Sequence, residues 1–197
     1  MKIVVASENQ GKIKEISAFF KDFPITLVPQ TEYNVPSVEE TGLSFVENAI
    51  LKARHASTHT GMPSMGDDSG LVVDFLEGAP GIYSARYAGL KASWEDNIKK
   101  LLSNLKEVPT ENRNAYFYCA IAFVQNAKDP IPLIFQAKWE GEILTEPKGS
   151  NGFGYDPIFY VAEHKCTAAE ISPDLKNKIS HRAKALKDFA EAIKSQV

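Results

Sequence analysis

The chain is poor in cysteine, in long apolar runs and in excess charge of one sign, and each shortage removes a class of function. Its 197 residues hold two cysteines, Cys119 and Cys166, with no CxxC spacing. That argues against a disulfide scaffold, a zinc ribbon or a dithiol redox centre, and reads as reduced, buried thiols in a cytosolic protein. No stretch approaches the ~18 apolar residues of a membrane helix. Met1 to Ala6 is too short for the apolar part of a signal peptide, and Glu8 follows at once. The expected location is the cytoplasm, with no membrane partner. Net charge is −3, with Lys and Arg spread along the chain, which speaks against a non-specific nucleic-acid binder. A small anionic ligand remains possible, since it needs only a local basic pocket. A Walker A loop, a Nudix glutamate cluster, internal repeats and an exposed linker are also missing. What is present, 44% hydrophobic and 24% charged residues, suits one soluble domain over residues 1–197, built as two lobes with no separable linker.

The first 28 residues read as strand, helix, strand. Lys2 to Ala6 is a β-type run, and Ile13, Ile16, Phe20 and Phe23 fall at helical spacing before Pro24. Ile25 to Val28 is a second strand, and residues 29–40 a loop. Ser44 and Glu47 form a capping-box pattern ahead of a helix that runs to about Thr60. Leu71 to Phe75 reads as a strand and Ser93 to Leu105 as a helix. Ala115 to Val124 and Ile131 to Leu144, separated by a turn at Asn126 to Pro130, predict a long antiparallel hairpin. Ile179, Ala183, Leu186, Ala190 and Ile193 mark a last amphipathic helix. The fold class is α/β with a mixed sheet.

Gly66-Asp67-Asp68-Ser69-Gly70 is the most informative stretch. Adjacent carboxylates repel, and in a tight, glycine-framed bend they call for a cation. Hard oxygen ligands beside a hydroxyl suggest Mg²⁺ and a phosphorylated substrate, although the segment alone reads equally as a solvated turn. Ser7-Glu8-Asn9-Gln10-Gly11-Lys12 joins the first strand to the first helix, where free N–H groups suit an anion. Lys12 stands in the first helical turn, unfavourable for a cation unless an anion lies there. Glu8 repels phosphate and should point away. Glu39 or Glu40 either complements the next helix or completes a carboxylate cage. Lys52 and Arg86 either meet a polyphosphate or are surface charges. In Gly149-Ser150-Asn151-Gly152-Phe153-Gly154-Tyr155-Asp156 the glycines admit a ligand close to the backbone and an aromatic ring can stack on a base. Asp156 can accept from a ring N–H. Lys176, His181 and Arg182 can line a pocket rim.

Taken together, Ser7-x-Asn9-x-x-Lys12, Glu40-Thr41-Gly42, Glu47-Asn48-Ala49-x-x-Lys52-Ala53, Asp67-Asp68-Ser69-Gly70-Leu71, Gly78 to Arg86, Phe153-Gly154-Tyr155-Asp156-Pro157 and Ser180-His181-Arg182 resemble the inosine triphosphate pyrophosphatase family. The resemblance spans nearly the whole chain in order. It implies an elongated α/β structure with a substrate cleft between two lobes, and Mg²⁺-dependent cleavage of ITP, dITP and XTP to the monophosphate and pyrophosphate. It further implies that Ser7 to Lys12, Lys52, Ser69 and Arg86 hold the triphosphate and that Glu40 and Asp68 bind the metal. Asp68 orients or deprotonates the attacking water, with Asp67 behind it. Phe153, Gly154, Tyr155, Asp156, Lys176, His181 and Arg182 form the base pocket, Arg182 and His181 donating to the 6-oxo group. A homodimer is the implied assembly. A nucleotide-binding module without hydrolysis, or a triphosphatase of other base specificity, is the alternative.

Overall fold

The computed structural model describes residues 1–194. The chain order is β1 (Lys2–Ala6), α1 (Gln10–Phe19), β2 (Thr26–Pro29), α2 (Phe45–Thr60), β3 (Ser64–Val73), α3 (Trp94–Asn104), β4 (Asn114–Val124), β5 (Leu133–Ile143), β6 (Phe159–Val161), β7 (Cys166–Thr167), α4 (Pro173–Ile179) and α5 (His181–Lys194). Among the described residues the strands form one mixed seven-stranded sheet in the order β2-β1-β3-β4-β5-β6-β7. β1 pairs in parallel with β2 and β3, whereas β5–β6 and β6–β7 are antiparallel. The α/β class and mixed sheet expected from the sequence are present, and β4 and β5 are neighbours in the sheet.

The chain forms two compact units. The first comprises Met1–Ser69, Cys119–Ala137 and the segment from His181; the second comprises Gly70–Tyr118 and Lys138–Ser180. In the first unit, strand alternation sorts side chains between two faces. Ile3, Val5, Met65, Cys119, Ile121 and Phe123 pack with Ile16 of α1, Phe20 at its C-terminal cap, and Leu186, Phe189 and Ile193 of α5. Val4 and Ala6 point the other way, onto Ala56 of α2. In the second unit Leu71, Val73, Phe117, Trp139 and Phe159 close over Ile98 and Leu101 of α3 and Leu105 at its C-terminal cap.

Caps set the helix ends. Asn9 Oδ1 accepts from Lys12 N–H at 3.1 Å to start α1. Ser44 Oγ accepts from Glu47 N–H at 3.2 Å, and the Glu47 carboxylate accepts from Leu43 N–H at 2.9 Å. Gly61, at φ +68, closes α2 in the left-handed conformation that suits glycine. In the second unit the buried Arg113 donates to the carbonyls of Leu105 at 2.6 Å and Val108 at 3.0 Å, supplying partners and positive charge just past α3.

Two local expectations change. Gly66 to Gly70 is not a bend: it lies inside the ten-residue strand β3, which starts at Ser64 and ends at Val73, two residues short of Phe75. The terminal helical pattern is also two helices, because Ser180 leaves the helical conformation (φ −68, ψ 163) and Lys176 belongs to α4 instead.

Gly66 has its own explanation. A Cβ there would collide with the Ala49 carbonyl oxygen and the Ala53 amide nitrogen of α2, both backbone atoms. Glycine thus allows α2 to lie against β3. Gly66→Ala is expected to cost about 1–3 kcal/mol, the range for overpacking, because neither backbone can rotate away. An unchanged urea midpoint would show that this approach does not constrain the unit.

Candidate functional site

Placing Asp67 and Asp68 on a strand answers the question their repulsion raises: successive side chains leave a strand on opposite faces. Asp67 shares the Met65 face with α1 and α5, and Asp68 shares the Gly66 face with α2.

Asp67 is buried and held by four donors. Lys12 Nζ lies 2.6 Å from Oδ1 and Arg182 Nε 2.7 Å from Oδ2. Ser69 Oγ donates to Oδ1 at 2.8 Å and the Cys119 thiol to Oδ2 at 3.5 Å. Burial alone would raise the carboxyl, but Arg182 and Lys12 overcome it and hold Asp67 well below the ordinary carboxylate value. The anion that Lys12 needs beside the α1 dipole is therefore supplied by the protein. Arg182, only 2% exposed, also pairs with Glu15 through Nη1 and lies 3.3 Å from Ser69 Oγ through Nη2. Burial would lower the guanidinium, but the Asp67 and Glu15 carboxylates raise it. Burial and the Asp67 charge push the Cys119 thiol up, so it stays neutral.

Asp68 has a different environment. Its Oδ1 lies 2.8 Å from Lys52 Nζ, and Glu40 Oε1 lies 2.8 Å from the same nitrogen. Asn48 Nδ2 donates to Asp68 Oδ2 at 3.3 Å, while Asn48 Oδ1 accepts from Gly42 N–H at 2.8 Å, tying the loop after Glu40 to α2. Burial, helped by the Glu40 charge, raises the Asp68 carboxyl against the pull of Lys52 and Lys12. Burial would lower Lys52, but Asp68 and Glu40 raise it, so it stays an ammonium. Two carboxylates thus converge on one cationic point. Among the described residues no group of three or more His, Cys, Asp or Glu side chains is arranged to hold a metal. A hard ion that takes only one or two carboxylates and completes its shell with phosphate oxygens and water fits this pair.

The loop before α1 stands as a helix-capping turn. Ser7 Oγ accepts from Asn9 N–H at 3.2 Å, and Glu8 and Gln10 are exposed. His181 is buried at the first position of α5.

The second unit holds the aromatic loop. Gly152 and Gly154 have φ +75 and +66, and a Cβ at Gly152 would strike the Asp156 carboxylate. Asp156 Oδ2 accepts from Phe153 N–H at 2.9 Å and pairs with Lys176 Nζ at 2.5 Å. Lys176 Nζ also lies 4.9 Å from the Phe153 ring centroid, a cation–π contact. The buried Tyr155 donates its hydroxyl to the Ser84 carbonyl at 2.9 Å, and its ring meets Trp94 edge-on at 5.8 Å. Arg86 ends a 3₁₀ turn (Gly81–Arg86) with its guanidinium 5.2 Å from the Tyr83 ring centroid.

The structure therefore brings Lys12, Ser69 and Arg182 together around Asp67, and Glu40 and Lys52 together around Asp68. In the second unit it brings together Phe153, Asp156 and Lys176. The sequence reading did not single out Glu15, Asn48 or Cys119 as site residues. Glu15 follows Lys12 by three positions and Asn48 precedes Lys52 by four, so each shares a helix face with a residue that was singled out. That spacing was the available signal. Cys119 offered none, since its neighbour Asp67 is remote in sequence.

The Ham1 family model matches residues 3–192. A dITP/XTP pyrophosphatase of Vibrio cholerae is 54% identical over 195 residues, covering 99% of this chain and 98% of that protein. A protein of the same name from Legionella pneumophila is 56% identical over 94% of each chain. Among solved structures, a HAM1 protein from Coxiella burnetii superposes with a TM-score of 0.92 at 50% identity over 99% of each chain. The Staphylococcus aureus Ham1 protein gives 0.88 at 41% identity over the full length of both.

Proposed function

The chain belongs to the Ham1 family, and on that premise we propose that it hydrolyses deaminated purine nucleoside triphosphates, ITP, dITP and XTP, to the monophosphate and pyrophosphate. This removes them from the nucleotide pool. Relatives named for dITP and XTP support the substrate class. The observation that carries the chemistry is the split of the aspartate pair: one carboxylate is saturated by its own protein, and the other is raised and faces Glu40 across a shared cation.

Asp68 is the catalytic base. A carboxylate with a raised proton affinity is better able to orient and deprotonate water, provided it remains ionised, as the adjacent Lys52 ammonium favours. Glu40 and Asp68 would hold Mg²⁺, which when bound neutralises charge on phosphate oxygens. Lys12 and Lys52 bind the triphosphate, together with the α1 N-terminus from Ser7 to Lys12, Ser69 and Arg86. Each cation then exchanges part of its carboxylate pairing for phosphate. Phe153 stacks on the base, and Lys176, fixed by Asp156, donates toward a 6-oxo group in place of Arg182, to which the sequence reading gave that role but whose guanidinium is engaged by Asp67, Glu15 and Ser69. Adenine carries an amino donor at that position, so two donors would face each other and the nucleotide would be rejected. Gly154 and Tyr155 shape the same loop, and His181 is a further substrate contact. The chain acts as one domain, a reading supported by a family match running through both units. Two further parts of the proposal are a cytoplasmic location and a homodimer. No helix of the described residues is long and apolar enough to cross a membrane, and Phe75, Tyr83 and Leu90 offer exposed apolar surface for a second copy.

A nucleotide panel tests this. With Mg²⁺, ITP, dITP and XTP should be hydrolysed far faster than ATP, GTP or dUTP, and ion-exchange chromatography should find monophosphate and pyrophosphate. Orthophosphate with a diphosphate would overturn the assigned bond, and equal rates across the panel would overturn the assigned base.

A further inference from the structure

His55 and His59 lie one turn apart on α2, with ring centroids 4.3 Å apart and planes inclined by 52°. Each ring has one nitrogen against a backbone carbonyl: His55 Nε2 is 2.8 Å from the Pro36 oxygen, and His59 Nδ1 is 2.9 Å from the His55 oxygen. A carbonyl only accepts, so the nitrogen facing it carries the proton. This sets the tautomers of the neutral rings as Nε2–H in His55 and Nδ1–H in His59. The lone pairs then reside on His55 Nδ1 and His59 Nε2, and both contacts are exposed to solvent. An imidazole that donates its other N–H to a backbone carbonyl is oriented as metal-binding histidines are.

We propose that His55 and His59 form a two-imidazole site for a divalent transition ion, distinct from the carboxylate pair at Glu40 and Asp68. Two protein nitrogens leave the remaining positions to water, so the site selects by ligand chemistry and not by a closed cage. Imidazole favours Cu²⁺, Ni²⁺ and Zn²⁺ over Mg²⁺, with Cu²⁺ bound more tightly than Ni²⁺ or Zn²⁺. Occupancy would brace one turn of α2 and, through the His55 bond to Pro36, the loop that leads to Glu40.

The full chain should be titrated with Zn²⁺ or Ni²⁺ by calorimetry under a large excess of Mg²⁺, which occupies the hard-oxygen pair. One equivalent is expected, with a rise in melting temperature because the ion binds the folded helix. His55→Ala and His59→Ala should each weaken binding by at least about tenfold, the lower limit for losing even a supporting hydrogen bond. With substoichiometric Cu²⁺, the ring C–H proton resonances of His55 and His59 should broaden before those of His164 and His181. His59→Ala keeps the Pro36 bond, so it remains an informative variant even if His55→Ala loosens the loop. Absent binding, binding unchanged in His59→Ala, or first broadening at His164 or His181 would each overturn the site.

Discussion

Arg182→Ala is expected to lower the folding free energy by about 3–5 kcal/mol, the range for removing one partner of a buried ion pair. The substitution takes the 2.7 Å bond from Asp67 Oδ2 and the pairing from Glu15, and leaves a buried carboxylate with Lys12, Ser69 and the Cys119 thiol. Urea denaturation measures the loss, and a change below about 1 kcal/mol would remove Arg182 from the support of this unit. Asp67→Asn combined with Arg182→Ala should cost less than the two single losses added together, since the orphaned charge is gone. That double variant also keeps the question answerable if the single one does not fold. The sign with pH follows from Asp67. Its folded-state pKa is depressed, so its contribution is full above the ordinary carboxylate range and is lost as pH falls through the folded value. Acid unfolding of Arg182→Ala should therefore begin at higher pH than that of the unaltered protein. Turnover discriminates a second point. The guanidinium bonds to Asp67, Glu15 and Ser69, and Asp67 holds Lys12. Activity on ITP and on ATP should therefore fall by the same factor. A loss confined to ITP would instead mean that Arg182 reads the base.

Asp68→Asn should lower kcat by ~10²-fold or more, the scale of general-base contributions, with the fold intact. The amide keeps the volume. Lys52 keeps Glu40 as a partner, and Asn48 can still bond the side-chain carbonyl. Near-normal turnover at saturating Mg²⁺ would remove Asp68 from the mechanism. The contrast with its neighbour sharpens the test: Asp67→Asn should first cost stability and Asp68→Asn should first cost rate. Two adjacent, identical residues are separated only by the strand face on which each falls. If both variants lost stability alike, the division of roles between them would fail.

Much of the fold was legible because local chemistry dictates it. Asn9, Ser44 and Ser93 cap helices where their side chains can accept orphan N–H groups. Lys2 to Ala6 and Ala115 to Val124 are strands because β-branched and aromatic residues suit a pleated, buried surface. The Asp67–Asp68 segment was misread as a bend because Gly, Asp and Ser are turn formers when alone. In the fold the strand is imposed by pairing with β1 and by α2, which lies too close to Gly66 for any other residue. The candidate site was legible as residue types. Lys12, Glu40, Lys52, Asp68, Phe153, Asp156 and Lys176 all announce charge or stacking without long-range information. What only the tertiary structure decided was their partners. Ion pairs such as Asp67 with Arg182 join residues remote along the chain, and their strength comes from burial that no local pattern encodes. Sequence determined which charged and aromatic groups this protein carries; packing determined which of two neighbouring carboxylates is saturated by buried donors and which faces Lys52 and Glu40.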